Sequence, residues 1–148
     1  MLFRSSQNVS PYEETLPLDQ YLTEEGKRTL QHIALGYETL LREVTSHFPH
    51  VKTLCYGYDY PRPDKDGFYI GKVLHHKNIP EAKMIPIMAH AIDKFNVVIH
   101  TTTRKFENVK FLDCRTLAHQ ILPWLDDMHP RTPGFRKLAE KFASAILP

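Results

Sequence analysis

The 148-residue sequence is poor in the features that tie a chain to a membrane, a polyanion or an oxidising compartment. No stretch comes near the roughly 18 consecutive apolar residues of a membrane-spanning helix. The first residues lack the apolar core of a secretory leader, so the expectation is a cytoplasmic chain with no membrane span. Cysteine is scarce. Cys55 and Cys114 lie far apart in apolar runs, which reads as two buried thiols in a reducing compartment and not as a disulfide framework or a zinc site. An excess of either charge is also lacking: 19 Lys and Arg against 17 Asp and Glu leave +2, with no basic block, which argues against nucleic acid as a partner. The 9 histidines form no H-x-x-x-H pair with a third ligand nearby, so no metal and no other cofactor is expected. His47 and His50 are better read as side chains favouring a helix C-terminus.

What is present is ordinary globular material, 42% hydrophobic and 24% charged, enough for a single domain over residues 1–148. Residues 1–22 are irregular, although Leu2-Phe3 could supply a short strand. From Thr23 the spacing predicts a helix whose buried face holds Leu30, Ile33, Ala34, Tyr37, Leu40, Leu41, Val44 and Phe48, ending before Pro49. Val51–Tyr56 reads as a strand running into Gly57-Tyr58-Asp59-Tyr60-Pro61-Arg62-Pro63. Residues 64–78 read as a polar loop carrying His75 and His76. A helix is predicted over Ile79–His100, with Pro86 in its first turns or at a break, then a strand over Val109–Cys114. Leu117–Leu122 reads as a turn of helix, and Pro133–Leu147 as a last helix burying Phe135, Leu138, Ala139, Phe142 and Ile146. Strands alternating with helices at these lengths predict an α/β fold with parallel strands.

The stretch that carries chemistry is Trp124-Leu125-Asp126-Asp127-Met128-His129-Pro130, just ahead of the last helix. An Asp three residues before a His can accept its Nδ1 proton, fix the tautomer and leave Nε2 outward as a general base. The same residues also suit an ordinary turn followed by a helix start with Thr132 as cap and Pro133 in the first position. A second candidate is the loop at the end of the first strand, where α/β sheets place ligand groups. There Tyr58 and Tyr60 are candidate substrate-binding residues, or simply tyrosines packed on a rigid turn.

Taken whole, D-x-x-H-P followed by a Gly turn and a Leu-Ala-Glu-Lys-Phe helix resembles the C-terminal block of the SGNH (GDSL-type) ester hydrolases. The G-Y-D-Y-P-x-P string and Asp93-Lys94-Phe95-Asn96 are similar to stretches in a subset of that family. The resemblance implies a partial flavodoxin-like three-layer α/β/α fold with about three parallel strands and helices on both faces. It also implies Asp126 and His129 as two members of a Ser–His–Asp triad, with Asp127 a bystander, and a small-molecule or acylated ester as substrate. The family's nucleophile lies in a Gly-Asp-Ser motif that this sequence does not contain, and only Asn8 could match its oxyanion-hole Asn.

Two function classes follow. One is the C-terminal part of an ester hydrolase whose nucleophile lies elsewhere. The other is a non-catalytic protein of the same half-fold acting in binding or assembly, with a homodimer expected through an uncovered sheet edge.

Overall fold

The computed structural model describes residues 6–119 and 121–146. The possible strand at Leu2-Phe3 lies outside them. Two 3-10 turns, Ser6–Asn8 and Leu18–Gln20, precede four helices and two strands: α1 (Glu24–His47), β1 (Thr53–Tyr56), α2 (Ile70–His76), α3 (Glu81–Thr103), β2 (Val109–Leu112) and α4 (Thr132–Ile146). The architecture is mixed α/β around a parallel pair, with Thr53 opposite Val109 and Tyr56 opposite Leu112. Among the described residues no helix is long and apolar enough to cross a membrane.

The α1 helix begins where its sequence says it should. Thr23 stands outside the helix with extended backbone, and its side chain accepts the Gly26 N–H, so one otherwise orphaned donor of the first turn is satisfied. The predicted stripe holds in part: Leu30 and Leu41 are buried, whereas Leu40 and Phe48 are each 58% exposed. A stripe of eight residues is wider than the strip that α3 covers.

The α3 helix is the hub. Met84, Ile87, Met88, Ala91, Ile92, Phe95 and Ile99 are buried along it, and it packs on α1 and on both strands. It runs from Glu81 to Thr103, starting later and ending later than its sequence suggests, and Pro86 sits inside its second turn without ending it. At the sixth helical position the proline costs one intrahelical bond, the one an N–H there would give the Ala82 carbonyl, and the buried face of α3 carries the helix through it. Cys55 and Phe111 pair in register and pack against the same core as α3. Alternation along β1 therefore turns Tyr56 to the opposite face, where its ring meets Phe142 of α4 edge-on, 5.0 Å between centroids.

Three expectations are corrected. Residues 70–76 form α2 and not a loop, placing His75 and His76 in its last turn with Ile70 and Leu74 buried beneath them. Leu117 and Ala118 lie in a turn and not in a helix. On α4 the apolar stripe is present but largely uncovered, with Phe135 50% and Ile146 68% exposed. Only Gly134 is buried there, because the helix start presses against Pro130 and Ala118.

Candidate functional site

Both strands end at the same side of the molecule, and three loops meet there: 57–63 after β1, 113–119 after β2, and 124–130 before α4. Short strands cannot hold loops of this length, so carboxylates do. Asp59 accepts N–H bonds from Thr116 (2.6 Å), Ala118 (2.6 Å) and His119 (3.0 Å) across the gap, and from its neighbour Tyr60 (2.7 Å). Thr116 takes the left-handed region, φ 69°, to aim its N–H at that acceptor. Arg62 then ties the first loop to both others, its guanidinium to the His119 carbonyl (2.9 Å) and its N–H to the Asp127 carbonyl (3.0 Å).

Gly57, the first residue beyond β1, lies flat on Asn96 of α3, and a Cβ there would overlap the Asn96 amide oxygen. The Asn96 amide nitrogen donates to the Tyr58 carbonyl (3.0 Å) and to the Ile92 carbonyl (2.9 Å). The Asp-Lys-Phe-Asn stretch thus anchors the β1 loop to the hub helix.

The loop carrying the candidate dyad is closed by its own backbone. Leu125 donates to the His129 carbonyl (2.9 Å), Trp124 and Pro130 form an antiparallel bridge, and the Trp124 indole N–H reaches the Ala118 carbonyl (3.2 Å). Inside it Asp126 accepts the N–H groups of Met128 and His129, both at 2.8 Å, and both its oxygens lie 2.9 Å from His129 Nδ1. That contact assigns the imidazole proton to Nδ1 and leaves Nε2 as the free base. Burial alone would raise the Asp126 carboxyl, but the bonds from the His129 ring and from the two N–H groups outweigh it and hold the carboxyl below its ordinary range.

A carboxyl depressed in the folded state adds stability above its unfolded pKa and loses it as pH falls through the folded value. The Asp126 contribution is therefore complete at neutrality and fades only below about pH 4. In urea melts taken from pH 7 down to 2.5, Asp126→Asn should flatten the acid slope relative to wild type. Identical slopes would refute the Asp126–His129 contact.

The loop separates two hollows. His129 opens onto a cleft of about 440 Å³ whose described lining includes Tyr56, Tyr58, Trp124, Phe135, Leu138 and Phe142. Asp126 and Asp127 line the other, of about 490 Å³, with Asp64, Asp66 and Arg62. The first cleft is within the usual range for small-molecule sites and, among the described residues, has no Lys or Arg on its lining.

Of the residues singled out from sequence, His129 and Tyr58 line this cleft, and Asp126 stands behind His129 on the side of the second hollow. Tyr60 turns away from it: its hydroxyl donates to Asp93 (2.8 Å), which also accepts from Arg115 (2.7 Å), and its ring stacks edge-on with His119. Asn8 is buried under α1, where its carbonyl accepts the Thr23 N–H. No hydroxyl among the described residues bonds to His129 Nε2. The hydroxyls of Ser46 and Ser144 are spent on carbonyls of their own helices, and that of Ser10 on the Gln20 carbonyl. Both thiols are pushed up by burial, away from nucleophilic character. Among the described residues no group of three or more His, Cys, Asp and Glu side chains could hold a metal.

Sequence reasoning passed over Asp59, Asp127, Arg62 and Asn96 as parts of the site. All four act on main-chain groups distant in sequence. The one local signal was an Asp three residues beyond a strand end, two after a glycine that leaves no room for a side chain. No protein-family model, no curated protein and no solved structure matches the chain.

Proposed function

We propose that the chain is the C-terminal part of an ester hydrolase of the SGNH type, supplying the base and its orienting carboxylate to a Ser–His–Asp mechanism. In that reading the parallel pair belongs to a flavodoxin-like sheet of three or more strands, and the nucleophile comes from a Gly-Asp-Ser segment outside this sequence. The single observation that carries it is the His129 imidazole, held by Asp126 through Nδ1 with Nε2 free at a cleft beyond the ends of parallel strands.

The chemistry follows from that arrangement. Nε2 takes the proton of the attacking hydroxyl as its oxygen bonds the ester carbonyl carbon. Nε2 then returns that proton to the departing alcohol, and water repeats the cycle to release the acid. Asp126 keeps the ring in the productive tautomer and offsets its charge while it is protonated. The cleft's aromatic and aliphatic walls suit a neutral, apolar acyl group, since the carboxylate of Asp59 beside it is occupied by backbone N–H groups. Assay of the protein as its source cell makes it, against neutral aryl esters of increasing acyl length, tests this reading. Hydrolysis that depends on His129 is expected, and equal rates in wild type and His129→Ala would overturn it.

One observation favours a second reading, in binding or assembly. The α4 stripe of Phe135, Leu138, Phe142 and Ile146 has no described element over much of it, and an apolar strip of that kind calls for a partner. In this reading a second copy covers it. Size exclusion with light scattering should then give twice 17.2 kDa for the folded protein. A monomer mass would rule the second copy out.

A further inference from the structure

Between the two members of the dyad lies a third carboxylate with a different employment. Asp127 is 3% exposed and forms no ion pair among the described residues. Its side chain accepts the N–H groups of Tyr69 (3.1 and 3.3 Å), Ile70 (2.5 Å) and Gly71 (2.7 Å), the backbone donors that open α2. A buried carboxylate with no cation is costly unless N–H groups surround it, and here three do. The fit leaves no slack. A Cβ on Gly67 would come within 2.6 Å of Asp127 Oδ2, and one on Gly71 would overlap the Asp64 carbonyl.

Holding the start of α2 also places an aromatic ring. Tyr69 stands edge-on against the His129 imidazole, 5.8 Å between centroids and 80° between planes. The imidazole is thus held on two sides, by Asp126 at Nδ1 and by the Tyr69 ring. Asp127 reaches the residue that carries this ring through the main chain, since the Tyr69 N–H is one of its donors.

We propose that Asp127 is a positioning residue for His129: it locks the Tyr69 ring against the imidazole and so keeps Nε2 directed at the cleft. This rests on the dyad reading, in which Asp127 was expected to stand by. The link runs through Tyr69, so loss of either residue should free the ring in the same way, whereas a carboxylate that served only to cap α2 would leave the imidazole undisturbed.

The test uses ring nitrogen-15 shifts of the histidines, which report tautomer populations without any substrate. Wild type should show His129 in the Nδ1–H form. Asp127→Asn keeps the shape and removes the charge, and Tyr69→Leu keeps an apolar group and removes the ring. Both should raise the Nε2–H fraction of His129 several-fold while Asp126 is still present. If Asp127→Asn does not fold, Gly67→Ala, whose Cβ would meet Asp127 Oδ2 at 2.6 Å, displaces the carboxylate instead, and an unchanged tautomer ratio in whichever of the two folds overturns the proposal. An unchanged tautomer ratio in folded Tyr69→Leu overturns the proposal, whatever Asp127→Asn does to stability. Mixed tautomers already in wild type would instead sink the dyad itself, and the proposal with it.

Discussion

Asp59→Ala is expected to lower stability by about 2–4 kcal/mol, and to do so without touching the hydrophobic core. The carboxylate accepts four N–H groups, three of them from the loop after β2. A bond to a charged acceptor is worth about 1.5–3 kcal/mol when its donor is left unmet. Asp59 is only half-buried, however, so water can reach some of the freed donors and the four losses will not add fully. The Thr116 turn suffers most, because its left-handed backbone is sustained by that bond. For a chain of this size the change corresponds to a fall in Tm of roughly 5–15 °C. Asp59→Asn, which retains one acceptor oxygen, should fall between. A thermal melt within 2 °C of wild type for the alanine variant, on the order of a surface substitution, would show that the loops hold one another without the carboxylate.

His129→Ala carries the largest functional effect. With a nucleophile present, removal of the base should lower kcat/KM for a neutral ester by about 10²–10⁴-fold, which is roughly 3–5 kcal/mol of transition-state stabilisation at 1.36 kcal/mol per decade. The split matters as much as the size. The walls that bind the acyl group, Tyr58 and Phe142 among them, are untouched, so the loss should fall on kcat with KM nearly constant. Asp126→Asn should be nearly as damaging. Its amide can donate to Nδ1, which would hold the proton on Nε2 and turn the base into a donor facing the cleft. Pre-steady-state and steady-state rates on both variants separate these effects. A loss expressed in KM alone would place His129 among the binding groups and remove it from the chemistry.

Local pattern was enough where one segment determines its own structure. Thr23 announces α1, the Val109–Cys114 run announces β2, which ends two residues sooner at Leu112, and the three-residue interval from Asp126 to His129 announces the dyad because its geometry closes within a single turn. The α2 helix was illegible for the opposite reason. Seven residues are too few to hold a helix by propensity, and the acceptor that secures its first turn sits 57 positions away from Ile70, on Asp127. Tyr60 misled because a tyrosine in a loop beyond a strand end can face either way. The choice was made by Asp93 on α3, whose carboxylate its hydroxyl meets. The α4 stripe was read correctly as apolar, but apolarity does not reveal whether anything lies over it.

The pegs that hold the strand-end loops, Asp59 and Asp127, grip main-chain N–H groups and ignore side chains. Every residue but proline offers that handle. The exposed side chain of Thr116 could be exchanged in the course of descent without loosening its tie to Asp59, so the frame of the cleft and its surface are inherited separately. Such a scaffold can trade the groups that greet a ligand while its skeleton stays put, and two aspartates are the small vocabulary in which that skeleton is written.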